Sequence, residues 1–248
     1  MTKPSTLPRS RATLAADCSL CLRARDCWPS IPAAITQARA QRLPTLARGD
    51  VLWRQSDGFR GLFIVTQGSL KLVERAAEGI DTVAGFRFPG DLLGLDALVD
   101  GQHSDEAVAL EPLGVCRIDW DRTAEADRYA ALDRELLLRQ VDEARRLRRQ
   151  RRSLHRGAVA ALEDCLAEIR QAMGVAAGTP LRLPMSGADL ASFLGIATET
   201  VSRALRQLEL RGALVRRGRE LHWQDAASAQ RGRRTPRVGS ASSGFSGQ

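Results

Sequence analysis

The 248-residue chain is predicted to be an α+β protein: a β-roll, then one long helix, then a helix-turn-helix with a wing. Three observations predict it. Short β-rich runs broken by glycine extend from Gly49 to Trp120; no Gly or Pro occurs between Asp121 and Arg156; and two amphipathic stretches flank Gly195. The expected boundaries are a cysteine-rich arm at 1–30, a β-roll at 31–120, a dimerisation helix at 121–156, a winged helix-turn-helix at 157–225 and a disordered basic tail at 226–248.

In the roll the predicted strands are Val51–Trp53, Leu62–Val65, Ser69–Val73, Thr82–Phe86 and Gly114–Ile118, with turns at Gln67-Gly68, Glu78-Gly79, Pro89-Gly90-Asp91 and Asp100-Gly101. In the long helix Leu132, Leu136, Leu137, Val141, Ala144, Leu147 and Leu154 form an apolar side suited to a partner helix. The run from Arg145 to Arg152 interrupts that side. A further helix runs from Gly157 to about Met173 with Leu162, Leu166 and Ile169 on one face, and Cys165 joins that face as a core residue.

Charge and composition narrow the function. Lys plus Arg number 37 against 29 Asp plus Glu, a formal charge of +8, and only Lys3 and Lys71 are lysines. An anionic partner is expected. The excess is uneven: +3 over the arm, −3 over the roll, +4 over the long helix, zero from 157 to 225 and +4 in the tail. With 44% apolar and 27% charged residues the chain is of globular type, and no apolar run approaches the roughly 20 residues that span a bilayer. Met1 to Asp17 has no signal-peptide stretch, so a cytoplasmic protein without membrane association is expected. Nothing matches a catalytic triad, a Walker loop or Gly-x-Gly-x-x-Gly, and His103, His155 and His222 lack ligand spacing; no enzyme is expected.

The most informative block is 186 to 223. Ser186 and Asp189 form a capping-box pattern, Gly195 breaks the first helix, and Thr198 is expected to cap the second. On that second helix Val201, Ala204, Leu205 and Leu208 make a core stripe and leave Glu199, Ser202, Arg203 and Arg206 opposite. Such a face suits a major groove: Arg203 can bond guanine O6 and N7, Glu199 can accept from cytosine N4, and Ser202 can reach a base or phosphate. Arg216, Arg217 and Arg219 on the wing would contact phosphates. A solvated amphipathic helix would carry a similar face, so an interaction module with a degenerate DNA domain stays open.

Gly195-Ile196-Ala197-Thr198-Glu199-Thr200-Val201-Ser202-Arg203 resembles the recognition helix of the CRP/FNR superfamily, in its FNR-type pattern Glu-x-x-Ser-Arg. Arg48-Gly49-Asp50, Val65-Thr66-Gln67-Gly68 and Phe88-Pro89-Gly90-Asp91-Leu92-Leu93-Gly94 resemble that family's cyclic-nucleotide-binding-like β-roll. The resemblance implies a homodimeric transcription regulator that contacts RNA polymerase, binds palindromes with TTGAT-like half-sites on double-stranded DNA, and activates or represses anaerobic genes. Nucleotide binders of the family carry a Glu where Asp91 stands and an Arg-Ser or Arg-Thr pair where Ser104 and Asp105 stand, followed here by Glu106. Two carboxylates would repel a cyclic phosphate, so no cyclic nucleotide is expected.

Cys18-x2-Cys21-x5-Cys27 followed by Trp28-Pro29 resembles the cluster motif of FNR-type oxygen sensors, with Cys116 at the place of the fourth ligand. The resemblance implies a 4Fe-4S cluster on Cys18, Cys21, Cys27 and Cys116, one thiolate per iron, with oxygen or nitric oxide as signal. The same cysteines admit a zinc site or a reversible disulfide sensor. Cys116 alone is ambiguous, since it shares a strand face with Ile118 as a core residue would.

Overall fold

The computed structural model describes residues 14–15 and 40–118, residues at intervals along 137–153, and 155–223 except 177. Cys18, Cys21 and Cys27, the first part of the long helix and the tail lie outside the described residues.

Two antiparallel sheets make the roll. Strands β1 (Leu14–Ala15), β2 (Ala40–Arg42), β4 (Leu62–Gln67), β7 (Leu92–Leu93) and β9 (Gly114–Ile118) form one sheet in the order β1-β2-β9-β4-β7. Strands β3 (Val51–Trp53), β5 (Leu70–Glu74), β6 (Thr82–Arg87) and β8 (Glu106–Ala109) form the other in the order β3-β8-β5-β6. Between them lies a core of Leu52, Trp53, Phe63, Val65, Leu70, Leu72, Ala107, Ala109, Leu113 and Val115, the inward members of period-two strands.

The aspartates of the roll's signature motifs close its turns. Asp50 Oδ2 accepts from Ala47 N and Asp91 Oδ2 accepts from Phe88 N, each at 2.8 Å. Gly68 turns β4 into β5 at φ +73°, and a Cβ there would stand 2.2 Å from the Pro112 carbonyl oxygen. Only glycine fits both the dihedral and the approach.

A short helix α1 (Ala97–Asp100) follows β7. The described residues of the long helix, from Leu137 to His155, are helical. Its end is strapped to α2 (Ala158–Ala172): the buried Ser153 donates to Asp164, Arg156 also pairs with Asp164, and Arg149 Nε lies 3.6 Å from Glu168 Oε1. Glu168 thus offsets one charge of the arginine run from outside the helix that carries it.

Helix α4 (Thr198–Leu210) packs on α2 and on α3 (Gly187–Leu194), and a three-stranded sheet of β10 (Leu181–Arg182), β12 (Glu220–Trp223) and β11 (Leu214–Arg217) completes the unit. Its core holds Leu162, Cys165, Leu166, Ile169, Leu190, Leu194, Val201, Leu205, Leu208 and Leu221, and extends without a break to Val83, Phe86, Phe88 and Leu110 of the roll. Cys165 is buried there as its helical spacing predicts.

Candidate functional site

The two short helices meet through local chemistry. Ser186 has extended backbone and its hydroxyl accepts from Asp189 N at 3.1 Å, while Asp189 Oδ2 accepts from Ser186 N at 2.8 Å, a complete capping box. Gly195, left-handed at φ 65°, ends α3 and redirects the chain within three residues into α4. Thr198 does not cap α4. Ala197 is the N-cap, without a side-chain bond, and Thr198 is the first helical residue.

Helix α4 buries Val201, Ala204, Leu205 and Leu208. Thr198, Glu199, Ser202, Arg203 and Arg206 are all exposed on its other side. Arg203 Nη2 donates to Thr200 Oγ1 at 3.2 Å, which lays the guanidinium along the helix. Glu199 sits in the first turn, where the helix dipole favours a carboxylate.

Strands β11 and β12 pair in register from Leu214–Trp223 to Arg217–Glu220, turning through Gly218. Arg216, Arg217 and Arg219 are exposed around that turn. Arg216 is also held from behind: Glu209 Oε1 accepts from its backbone N at 3.2 Å and lies 3.6 Å from its Nε. On the other side the Arg170 guanidinium stands 5.2 Å over the Trp223 ring. Glu209 and Arg170 were not marked by the sequence pattern, because both act through partners on other elements.

The roll brings Ser104, Asp105 and Glu106 to one end of β8. Glu106 is buried and pairs with Arg54 Nη1 at 3.0 Å and with Arg75, which also pairs with Asp81. The hydrogen bonds that Arg75 donates to Glu106 and then to Asp81 hold its guanidinium above its ordinary pKa. Asp105 is buried too and accepts from Trp53 Nε1 at 3.2 Å. Burial, and then the charge of Asp96, push its carboxyl up to about 6.

His103 stacks on Trp53 with ring centroids 4.2 Å apart, and its Nδ1 lies 3.4 Å from Asp96 Oδ2. Burial alone would raise the Asp96 carboxyl, but hydrogen bonds from His103 and Ser104 outweigh it and hold it below the ordinary value. An anion entering here meets two buried carboxylates, and Arg54 and Arg75 are already matched to one of them.

Cys116 lies on β9, half-buried, opposite Arg42 of β2 on one side and Ile64 of β4 on the other. Ile118 on the same strand is 5% exposed, so Cys116 is less enclosed than a core residue of that face. In turn Arg42 pairs with Leu14 of β1. Among the described residues no group of three or more His, Cys, Asp or Glu gathers in a metal-holding arrangement.

Leu137, Val141 and Leu147 of the long helix are exposed, at 65%, 38% and 53%, at spacings that align them on one side. Arg145, Arg148, Arg149 and Arg152 are exposed on the same helix. No described helix is long and apolar enough to cross a membrane.

Known proteins share these features. Residues 43–126 match the family described as cyclic nucleotide-binding domain, and residues 160–228 match the Crp-like helix-turn-helix domain. The chain is 31% identical over 186 residues to the transcriptional activator protein Anr of Pseudomonas protegens, covering 73% of this chain and 75% of that protein. It is 28% identical over 228 residues to the transcriptional regulatory protein btr of Bordetella pertussis, covering 85% and 90%. Among solved structures, FixK2 from Bradyrhizobium japonicum aligns with a TM-score of 0.63 at 23% identity, over 77% of this chain and 96% of that one.

Proposed function

This chain belongs to the CRP/FNR family of transcription regulators, not of enzymes, and from that premise we propose that it is an FNR-type regulator that senses oxygen or nitric oxide. In this reading Cys18, Cys21, Cys27 and Cys116 hold a 4Fe-4S cluster, and a homodimer binds TTGAT-like palindromes. A bound cluster supplies an iron–sulfur centre labile to those gases.

One observation carries the sensor assignment. Leu14, Arg42 and Cys116 stand in register across β1, β2 and β9. Two strand spacings put the Leu14 backbone about 10 Å from Cys116, and the four residues from Leu14 to Cys18 can span at most about 14 Å. The chain from Leu14 is therefore long enough for the arm motif to reach the fourth thiol. Cys116 is half-buried rather than enclosed in the core, and four soft thiolates are a donor set that iron–sulfur clusters take.

For DNA, Glu199, Ser202 and Arg203 would read base edges in the major groove, Thr198 and Arg206 would flank them, and Arg216, Arg217 and Arg219 would meet phosphates. The exposed Leu137, Val141 and Leu147 would face the same stripe of a second protomer, which sets two recognition helices one DNA turn apart. The buried acids Asp105 and Glu106 argue against a cyclic phosphate in the roll. Contact with RNA polymerase and a cytoplasmic location follow from the family reading.

Anaerobic purification with absorption spectra, iron and sulfide counts, and air exposure tests the sensor. The expected result is a brown protein with four irons that bleaches in air, and a Cys116→Ser variant with much less iron. A colourless protein with stoichiometric zinc would overturn it.

A further inference from the structure

The DNA-binding unit is seated on the roll as well as joined to the long helix. Val83 and Phe86 of β6, Phe88 just beyond it and Leu110 after β8 share one core with Leu162 and Leu166 of α2 and with Leu190 and Leu194 of α3. The Phe86 and Phe193 rings meet at 5.2 Å and 58°. Val83 N donates to Ser192 Oγ at 2.9 Å, and Lys71 Nζ on β5 donates to Asp189 Oδ1 at 2.5 Å.

Asp189 thus has two tasks. Its Oδ2 closes the first turn of α3 by accepting from the backbone N and the hydroxyl of Ser186, at 2.8 and 2.7 Å, while its Oδ1 takes the ammonium of the roll. The Lys71 and Asp189 side chains are only 24% and 13% exposed, so solvent screens this pair less than a surface one. Burial pushes the Asp189 carboxyl up, but the bonds from Lys71 and Ser186 prevail and keep it below its ordinary value. The carboxylate is therefore charged at neutral pH.

We infer that Lys71 is a positioning residue for DNA reading: by clasping the capping carboxylate of α3 it fixes the angle at which each protomer presents α4. The seat is on α3, and it leaves Glu199, Ser202, Arg203 and Arg206 exposed. It holds the recognition helix and does not cover it. In a dimer the two angles set the separation of the recognition helices, so Lys71 governs half-site spacing without touching DNA. The inference rests on the reading of the protein as a dimer on two half-sites.

The test uses the full chain, anaerobically loaded, and anisotropy on three duplexes: a TTGAT-like palindrome, the same with one base pair inserted between half-sites, and a single half-site. Wild type, K71M, K71R, D189N and the K71M/D189N double variant are compared; Asn at 189 can still cap Ser186. K71M and D189N are each expected to bind the palindrome about 3–10-fold more weakly, with the double variant no worse than either single, as coupled partners behave. Discrimination against the inserted base pair should shrink by a similar factor, single half-site binding and the salt slope should stay at wild-type values, and K71R should restore both. Should K71M not fold, S192A tests the same seat and is expected to relax spacing in the same way.

Unchanged spacing discrimination, additive losses, or tighter binding would overturn the inference. So would a salt slope lowered by about 1, which would mark Lys71 as a phosphate contact. A wild type that binds the palindrome no more tightly than the single half-site overturns the dimeric reading itself, and the inference with it.

Discussion

Replacing Asp105 by Asn should stabilise the protein at neutral pH. Asp105 is 7% exposed, accepts from Trp53 Nε1 at 3.2 Å, and has its carboxyl pushed up to about 6, chiefly by burial and then by Asp96. A carboxyl whose folded pKa is raised contributes stability that is full below its unfolded value and is lost as pH rises through the folded one. For Asp105 the loss runs from about pH 4 to about pH 6 and is complete by pH 7. Ionising it in the fold costs up to roughly 3 kcal/mol more than in the unfolded chain. An Asn side chain keeps an oxygen for Trp53 and carries no charge.

The gain from D105N should therefore be near zero at pH 4 and reach about 1–3 kcal/mol at pH 8, a midpoint rise of up to roughly 10 °C for a chain of this size. The couplings of Asp105 to Asp96, Arg87 and His103 are already contained in its shift and vanish with its charge. Thermal unfolding followed by circular dichroism at pH 4.5, 6 and 8 measures it. A gain that does not change with pH, or a loss at pH 8, would refute the reasoning that burial of the charge is what Asp105 costs.

Arg203→Ala should cost about 1–3 kcal/mol on the palindrome and flatten base preference at one position of each half-site. Arg217→Ala should weaken all sequences alike and lower the salt slope by about 1; titrations at several salt concentrations separate the two. Gly68→Ala should destabilise the roll by roughly 2–5 kcal/mol, since it combines a left-handed backbone with a Cβ against the Pro112 carbonyl; urea unfolding would show it, and a near-neutral effect would contradict the geometry. Leu166→Ala, at a fully buried position, should cost about 2–5 kcal/mol and lower the unfolding midpoints of roll and DNA-binding unit together.

What the sequence made legible was whatever depends on near neighbours. The stripe Val201, Ala204, Leu205 and Leu208, the capping box of Ser186 and Asp189, the break at Gly195 and the hairpin around Gly218 are each decided within a few residues, and the structure has them. Strands β1, β2, β7, β8 and β10 carry no such local signal. Ala40–Arg42 and Glu106–Ala109 lack the β-branched alternation that marks a strand, and they are extended because β9, β3 and β5 pair with them from far along the chain.

Distance along the chain limited the site in the same way. Two carboxylates at 105 and 106 could be read as hostile to phosphate, but the match of Glu106 to Arg54 and Arg75, 52 and 31 residues away, could not. Thr198 was the expected cap by residue type, yet the helix begins at it, because Ala197 already has the extended backbone that an N-cap needs.

The continuous interior shared by roll and DNA-binding unit has a consequence for how this protein can be cut and recombined. A severed fragment beginning at Gly157 would leave Phe193 and its neighbours without Phe86, and the severed roll would turn Val83, Phe86, Phe88 and Leu110 toward water. Neither piece is a ready-made part. Chimeras that exchange the reading head alone should aggregate unless strand β6 travels with it, and the unit of modular exchange is then the head together with the patch of roll on which it sits.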